Sequence, residues 1–507
     1  MKKISILNLT GFMFLSILWG CEKFDNYAAN PNYYLRFSVD TLSFDTIFSS
    51  IGSTTKQFVV YNPNREALKI ESVQLANAGK NGFRINVDGR KGDSFHDIDI
   101  WKNDSLYVLV EVTADPNGTR QPFVIEDSIL FYVNGNRQSV LLQACGQDVH
   151  LIKGGVTYSE DVTFASDLPY LIYDSIMVAE GATLTIEKGA ALYMHNRASL
   201  KISGTLKAAG TQDKPILIRG DRLDAFESGG IMVPYDRTPG LWGGIYFEAS
   251  SFDNEFDYVN MRNGTSGLIF SKSNPEKLKM RISNSQITNI DGDLFKATDC
   301  YIEAANSEFT NAKDATVALT GGKYQFTHCT IVNIKLIGKG RDPQIRSLTL
   351  SNKIEEEQKA TTYHPLTAAY FDNCIIDGSN SSDSTKLYKG ELSFITGDES
   401  EAQGHAETFN YRFNSCFIKT ARVTDNSRFI NNLYIYSPAY LKTGGKDNLY
   451  AYDFRLKNES AGIGKADRQV SEKYPADRYG VDRLTSETGP SIGAYEYVYQ
   501  EEEKEKK

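Results

Sequence analysis

The sequence predicts an all-β protein in two parts, a β-sandwich followed by a solenoid of stacked coils. Short apolar runs separated by turn residues fill the first part, and no helical period interrupts them. In the second part NSQITN recurs as NSEFTN and HCTIVN, at Asn284, Asn306 and His328, each 22 residues after the last. Such a period is typical of a solenoid, because each coil must return equivalent side chains to the same place.

Composition restricts the function classes. The net charge of −9 over 507 residues gives no electrostatic basis for binding nucleic acid, so we expect no such partner. Beyond Cys21 the chain has five cysteines, an odd number without close pairs, and only six histidines. We therefore expect buried, unpaired cysteines and neither a metal site nor a cofactor.

The N-terminus has the features of an export signal. Residues 1–20 contain Lys2 and Lys3 followed by an apolar run too short to span a bilayer easily. The run ends in LWGC, which resembles the bacterial lipobox, in which the thiol of the cysteine, here Cys21, takes a diacylglyceryl group. This resemblance implies an outer-membrane lipoprotein held by its N-terminal lipid, with residues 21–34 as a tether. The alternatives are an uncleaved membrane anchor or a buried cysteine.

The residues after Cys21 bear on the membrane face. Glu22 and Asp25 resemble the acidic signal that directs lipoproteins of the Bacteroidetes to the cell surface. The cell surface and the periplasmic face both stay open.

Residues 35–150 predict the β-sandwich. Runs such as LKIESVQL and SLYVLVEV alternate apolar and polar residues, and Asn134-Gly135 between two such runs predicts a tight hairpin. About seven short strands in this length are typical of a sandwich. The segment resembles the immunoglobulin-like domains of bacterial surface lipoproteins.

Residues 151–497 predict the solenoid, and residues 498–507 a charged, disordered tail. The passage from Ser175 to Gly220 and the stretch GLWGGIYF resemble the opening coils of right-handed parallel β-helices of the pectate-lyase type. DFRLKNESAGIG, YPADRYGVDR and SIGAYEY resemble the closing segments of those proteins. The resemblance implies a right-handed parallel β-helix.

Aligning the repeats predicts which side chains face the core. Three columns are apolar or small: Ile282, Ala304, Phe326, Phe371 and Phe413; Ser285, Ser307, Cys329, Cys374 and Cys416; Ile287, Phe309, Ile331, Ile376 and Ile418. Between the first two lies a row of residues that mostly tolerate positive φ: Asn284, Asn306, His328, Asn373 and Ser415. A second row follows: Asn263, Asn289, Asn311 and Asn333. Both rows predict stacked corners in which side-chain amides satisfy backbone groups; a polar ligand-binding stripe is the alternative.

Two insertions and one motif raise the question of catalysis. The spacing lengthens to 45 residues after Asn333 and to 42 after Asp377, and inserted loops on solenoids often carry function. The stretch RDPQIR matches the RxPxxR string of pectate lyases, which makes Arg341 and Arg346 the candidates for substrate contact or proton abstraction. Its companion Trp-x-Asp-His string is absent. Calcium would be expected only under this lyase hypothesis.

The sequence therefore favours a non-catalytic lipoprotein that binds glycan or a partner protein along the solenoid face and its loops. One alternative is a polysaccharide lyase or hydrolase acting on acidic glycans. Another is a structural subunit of an outer-membrane protein complex.

Overall fold

The structure is a computed structural model that describes residues 27–334, 344–355, 358–380, 390–396, 408–434, 437–444 and 451–501. It confirms the predicted all-β fold class. The chain divides into two compact units between Asp148 and Val149.

The first unit is a β-sandwich of two five-stranded sheets. In spatial order, one sheet contains Arg36–Phe37, Lys56–Tyr61, Ser105–Val112, Phe83–Val87 and Arg90–Gly92. The other contains Thr41–Phe48, Asn136–Gln147, Phe123–Val133, Leu68–Leu75 and Ser94–Ile100. Neighbouring strands are antiparallel except that Thr41–Phe48 pairs in parallel with Asn136–Gln147.

Alternating side chains from both sheets form the sandwich core. Phe58 and Phe83 of one sheet and Phe131 of the other are buried in one cluster. The predicted hairpin is confirmed: Val133 pairs with Asn136, and the two-residue loop has positive φ at Asn134 and Gly135. That backbone matches the twist of the flanking strands.

The second unit is a parallel β-helix built from three long sheets, here named A, B and C. Sheet A contains His150–Ile152, Tyr170–Ile172, Ala191–Met194, Ile216–Gly220, Val259–Arg262, Gln286–Ile290, Glu308–Ala312, Thr330–Asn333, Ile375–Gly378 and Phe417–Ile418. Sheet B contains Thr157–Tyr158, Ile176–Val178, Ser199–Ile202, Gly244–Phe247, Leu268–Phe270, Phe295–Thr298, Val317–Thr320, Leu348–Ser351 and Leu392–Ile395. Sheet C contains Val162–Phe164, Thr183–Ile186, Thr205–Ala209, Asn254–Asp257, Leu278–Ser283, Tyr301–Ala305, Gly322–Thr327, Leu366–Asp372, Phe409–Asn414 and Phe429–Ile430.

The strand register accounts for the sequence repeat. Ile282 pairs with Ala304, and Ala304 with Phe326, so a step of 22 residues is one coil. The longer steps also preserve register, because Phe326 pairs with Phe371 and Phe371 with Phe413. The inserted residues therefore leave the coils stacked, and the aromatic rings of this column stack at 5.1 Å and 5.0 Å.

The column of small residues links each coil to the next through hydrogen bonds. The Ser307 hydroxyl accepts from the Ser285 backbone N–H at 3.1 Å. The Cys374 and Cys416 sulfurs accept from the backbone N–H of the preceding column member at 3.4 Å. The five cysteines after Cys21 form no disulfide; Cys145 is partly buried and the other four are buried.

Smaller elements interrupt or follow the coils. Three two-stranded sheets pair Ala225–Ser228 with Ile231–Pro234, Lys353–Ile354 with Thr362–Tyr363, and Tyr440–Thr443 with Tyr452–Leu456. In the described part of the chain the helices are a 3-10 turn at Tyr235–Arg237 and one α-helical turn at Arg468–Ser471. Among the described residues, no helix has the length and apolarity needed to cross a bilayer.

The end of the chain, residues 467–497, returns over the outer face of sheet A; we call it the closing segment. Tyr495 contacts Gln286 and Glu308 of that face through its hydroxyl, and Ala494 donates its N–H to Thr330 Oγ1 at 3.0 Å. At Gly493 a Cβ would lie 2.6 Å from the Ile375 side chain, so only glycine permits this approach. The sequence stretch SIGAYEY supplies these contacts.

Candidate binding face on the β-helix

The sequence singles out Cys21 for anchoring and Arg341 and Arg346 for the lyase hypothesis, and the structure describes Arg346 of these three. Cys21 and Arg341 lie outside the described residues. Arg346 is half-buried and directly precedes Ser347, which is fully buried. Ser347 donates to the carboxylate of Glu391 through its N–H at 3.0 Å and its hydroxyl at 2.8 Å.

Beside Ser347 lies a pair of buried acids that would be natural candidates for catalysis. Burial raises the pKa of Asp377 to about 6, although the ammonium of Lys419, 3.7 Å away, opposes the rise. Asp377 is 4% exposed and Glu391 has no exposed surface. A polysaccharide cannot reach carboxylates so enclosed, so this cluster is structural in the state described.

The first corner row lies at bends of positive φ. Asn284, Asn306, His328, Asn373 and Ser415 have φ between 47° and 56°. Asn306 donates to Asn284 Oδ1 at 3.3 Å, and Asn373 Nδ2 lies 3.0 Å from His328 Nε2. The closing segment packs on this row, where Ser471 Oγ lies 2.9 Å from His328 Nε2.

The second row is less uniform. Asn263, Asn289 and Asn311 have positive φ, whereas Asn333 ends a strand of sheet A. Asn333 donates its amide to the Ala312 carbonyl at 2.8 Å. Asn263 donates to three carbonyls of the loop before Gly240, those of Tyr235, Asp236 and Thr238. Contacts of the two rows thus go to the chain's own backbone and side chains.

The outer face of sheet C presents a different pattern. One outward side chain per coil forms a continuous row in register, which we call the sheet C row: Thr163, Thr185, Lys207, Glu255, Arg281, Glu303, Gln325, Tyr370 and Arg412. None of these residues is buried. Since neighbouring strands lie about 4.8 Å apart, the row offers a regular series of polar and aromatic groups along the axis.

Cations cover the aromatic rings of this face. The Lys323 ammonium lies 4.4 Å from the Tyr301 ring centroid, and the Arg412 guanidinium lies 4.7 Å from that of Tyr370. The Tyr301 hydroxyl donates to Glu303 at 2.5 Å. The rings are therefore held by contacts with neighbouring side chains.

Acids of this face are paired with bases. Arg281 contacts Glu303 at 3.0 Å, Lys207 contacts Glu255 at 3.5 Å, and Arg412 contacts Asp372 at 2.9 Å. Burial alone would raise the pKa of Glu303, but hydrogen bonds from Tyr301 and Arg281 lower it overall. The bond to Glu303 raises the pKa of Tyr301 to about 12. Glu303 is thus held as an ionised acceptor and Tyr301 as a neutral donor.

Sequence reasoning missed this row, although a signal exists. Arg281, Glu303, Gln325, Tyr370 and Arg412 each stand one residue before a member of the first apolar column. In a strand, adjacent side chains point to opposite faces, so these positions must face outward. Their chemical variety hid the row, because no residue type occurs in two consecutive coils among these five positions.

A projecting hairpin was also missed. Ala225–Ser228 and Ile231–Pro234 form it between a strand of sheet A and one of sheet B. At its base the Arg222 guanidinium contacts both carboxylate oxygens of Asp224, at 2.7 Å and 2.6 Å. At its tip Ile231 is 37% exposed and Met232 62% exposed.

No group of three or more His, Cys, Asp or Glu side chains in the described part of the chain is arranged to hold a metal ion. Trp242 has no exposed surface and donates its indole N–H to the Arg262 carbonyl at 2.8 Å, so it cannot stack on a sugar.

Comparison with models of known protein families gives no match. The chain is similar to the Drosophila melanogaster protein named bark beetle, with 32% identity over 112 residues. That match covers 21% of this chain and 3% of bark beetle.

Two of the solved structures to which the chain is similar are distant from it in sequence. The Vibrio cholerae VesB protease has 11% identity and a TM-score of 0.16, covering 22% of this chain and 31% of that one. A Porphyromonas gingivalis protein of unknown function has 11% identity and a TM-score of 0.17, covering 25% of this chain and 58% of that one. Scores this low support no shared function.

Proposed function

We propose that this protein is a non-catalytic glycan-binding lipoprotein of the bacterial outer membrane, with the outer face of sheet C as its binding surface. The sheet C row is the observation that carries the proposal. It places one polar or aromatic side chain on each of nine coils, so a linear polymer lying along the axis would meet a side chain at every coil it crosses.

The chemistry of this face suits sugars. Tyr301 and Tyr370 each combine a polar hydroxyl with an apolar ring that has a cation over one side, and a pyranose has the same mixed polar and apolar character. Glu303 and Gln325 offer acceptors, and Arg281 and Arg412 offer donors, for sugar hydroxyls. Since cations already hold the rings in place, little side-chain entropy would be lost on binding.

The same contacts favour binding over hydrolysis. A glycosidase needs one carboxylic acid of raised pKa next to the scissile bond. On sheet C the carboxylates of Glu255, Glu303 and Asp372 are paired with cations, and hydrogen bonds lower the pKa of Glu303. These side chains are arranged to accept hydrogen bonds.

Anchoring through Cys21 and export to the outer membrane belong to the same proposal. They rest on the lipobox-like end of the signal segment and on the acidic residues Glu22 and Asp25. The residues between Cys21 and the sandwich would serve as the tether.

A second candidate function is that of a structural subunit in an outer-membrane complex. The projecting hairpin favours it, because Ile231 and Met232 expose apolar surface near its tip. Pull-down from detergent-solubilised envelope distinguishes the two: a structural subunit would retain a stoichiometric membrane protein after washing with sugars, and Met232→Ser would release it.

The proposal is tested by binding of the full chain to a panel of immobilised polysaccharides. We expect Tyr301→Ala combined with Tyr370→Ala to abolish retention, whereas Tyr246→Ala, a matched change on the outer face of sheet B, should preserve it. Equal retention of the wild type, the double tyrosine variant and Tyr246→Ala would overturn the assignment to sheet C.

The same samples test the lyase alternative. Uronate-containing polysaccharides should show no new ultraviolet-absorbing double bond after incubation with the protein. If the double bond appears with the wild type and is lost with Arg341→Ala or Arg346→Ala, the protein is a lyase instead.

A further inference from the structure

One strip of the outer face of sheet C is covered over three coils. Ala305, Thr327 and Asp372 stand two residues after members of the sheet C row and therefore also face outward. They are nevertheless only 6%, 3% and 5% exposed. The equivalent side chains of the two preceding coils, Asp257 and Ser283, are half-buried. Another part of the chain therefore packs over this strip from Ala305 onward.

The closing segment supplies that cover. Each of the three covered residues directly precedes a corner residue that contacts the closing segment. These contacts are Asn306 with the Ala476 carbonyl at 2.9 Å, His328 with the Ser471 hydroxyl at 2.9 Å, and Asn373 with the Asp467 carbonyl at 3.0 Å. Each contact lies one coil from the next, so residues 467–476 run along the axis of the β-helix. They form a wall beside the sheet C row.

Tyr474 stands on the sheet C side of this wall. Its N–H donates to the Ser471 carbonyl at 2.9 Å, and its side chain is half-buried. Burial raises the pKa of Tyr474, the neighbouring Cys329 and Glu303 raise it further, and Arg281 lowers it. Glu303 and Arg281 are members of the sheet C row. The Tyr474 side chain is therefore placed next to the proposed glycan surface.

The opposite edge of sheet C carries an inserted segment, residues 352–365. Lys353–Ile354 and Thr362–Tyr363 form its two-stranded sheet, between a strand of sheet B and a strand of sheet C. His364 attaches the segment to the β-helix, because its Nδ1 lies 2.7 Å from Asp299 Oδ2. Asp299 stands at the corner just before the sheet C strand Tyr301–Ala305. The inserted segment thus borders the same coils from the other side.

The two borders limit the width of the accessible floor. On two of these coils the outward side chains that stay accessible are Tyr301 with Glu303, and Lys323 with Gln325. Two residues along a strand span about 7 Å. A floor of this width takes one sugar chain lying along the axis. A branch directed to either edge would meet the wall or the inserted segment.

We propose that residues 467–476 and the inserted segment bound a groove on sheet C that selects unbranched glycan chains, with Tyr474 as a further ligand-contacting residue in its wall. The ring and hydroxyl of Tyr474 suit the side of a pyranose. This inference rests on the proposed glycan-binding function and adds the class of glycan and one binding residue.

Calorimetric titration of the full chain with matched pairs of oligosaccharides tests the selectivity. The pairs are a linear β-1,4-xylo-oligosaccharide with and without arabinose branches, a β-1,4-manno-oligosaccharide with and without galactose branches, and an oligogalacturonate with and without xylose branches. For each backbone that binds, we expect the linear form to bind at least about tenfold more tightly.

Tyrosine variants test the wall. Tyr474→Ala should weaken binding of the linear probe by about tenfold, because one contact along the chain is lost. The control Tyr479→Ala removes an exposed tyrosine of the same segment that stacks on Tyr495 at 5.5 Å, away from sheet C, and should keep the wild-type affinity. Thermal unfolding of both variants reports whether folding is intact. If Tyr474→Ala does not fold, Tyr474→Trp retains a ring, and its fluorescence should change when the linear probe is added.

The outcomes separate the two proposals. If linear and branched forms bind equally, or if only branched glycans bind, the groove does not select unbranched chains, while glycan binding stands. Wild-type affinity in a folded Tyr474→Ala, or unchanged fluorescence of Tyr474→Trp, removes Tyr474 from the binding site. If no oligosaccharide or polysaccharide binds, the proposed function fails and the inference with it.

Discussion

Arg483 donates a hydrogen bond from Nη2 to Asn306 Oδ1 at 3.1 Å, across 177 residues of sequence. Its guanidinium has no exposed surface and also contacts Glu496 at 3.4 Å and the Ala494 carbonyl at 3.0 Å. The end of the chain is thereby attached to a corner in the middle of the β-helix. The closing segment is a part of the fold that covers the outer face of sheet A and also contacts sheet C, where Asn414 donates to Asp467 at 3.1 Å.

Loss of Arg483 should destabilise the protein strongly. Arg483→Met leaves Glu496 buried without its cation, which typically costs about 3–5 kcal/mol. The matched change Arg455→Met removes a cation from a more exposed pair with Asp453 and should cost less than about 1 kcal/mol. Urea unfolding measures both values. Similar losses in the two variants would show that the Arg483 contacts contribute little to stability.

His328 should be replaceable by asparagine better than by valine. Its φ is 49°, which asparagine tolerates and which a β-branched residue disfavours by a further ~1–2 kcal/mol. His328→Asn should therefore be the more stable of the two variants in thermal unfolding. Equal stabilities would contradict the importance of the bend.

The same variant predicts a dependence on pH. Burial, with help from the charge of Arg483, holds the pKa of His328 well below its usual value. The folded state thus disfavours the protonated imidazole, so the wild type loses stability as the pH falls below about 6.5, the ordinary pKa of histidine. As the pH falls from 7 to 5, the wild type should lose stability relative to His328→Asn. A difference that stays constant would rule out a neutral, buried His328.

Asp377 should act in the opposite direction. Burial raises its pKa to about 6, so the folded state binds this proton more tightly than the unfolded state, and its stabilising effect falls as the pH rises from about 4 to 6. Asp377→Asn should gain stability relative to the wild type over that interval, by at most about 3 kcal/mol. Lys419→Met should lose more stability than the wild type as the pH rises, because the Lys419 ammonium opposes the rise in the pKa of Asp377. Parallel stability curves for Asp377→Asn and wild type would refute this assignment.

Cys21 should carry the lipid anchor. Cys21→Ser should lose incorporation of an alkyne-labelled fatty acid and leave the membrane fraction of cells that export the protein. Cys145→Ser, a change at a half-buried thiol of the sandwich, should keep both. If the Cys21 variant keeps the label, the lipid is attached at another residue and the assignment to Cys21 is wrong.

The sequence was most informative where the core constrains it. Phe326, Phe371 and Phe413 must stack inside the helix, so their types repeat and predict both register and fold. Outward positions such as Gln325 and Tyr370 have no such constraint, so the sheet C row could not be recognised by repetition.

Long-range packing limited prediction in a different way. The closing segment resembles the ends of other β-helices, but its contact with Asn306 joins residues far apart in the sequence. The hairpin before Gly240 was missed because it lies inside a step of 43 residues, from Ile218 to its partner Met261, that begins with no recognisable repeat. The position of the hairpin and the contacts of the closing segment depend on the number of residues in each coil. The pattern of a single sequence does not specify that number.

Hydroxyl-radical footprinting of the full chain with and without a bound glycan tests the sheet C assignment most directly. The side chains of Tyr301 and Tyr370 should become protected when the glycan binds, while Tyr246 on sheet B should react at an unchanged rate. Protection at Tyr246 with none at Tyr301 and Tyr370 would place the ligand on another face and contradict the account.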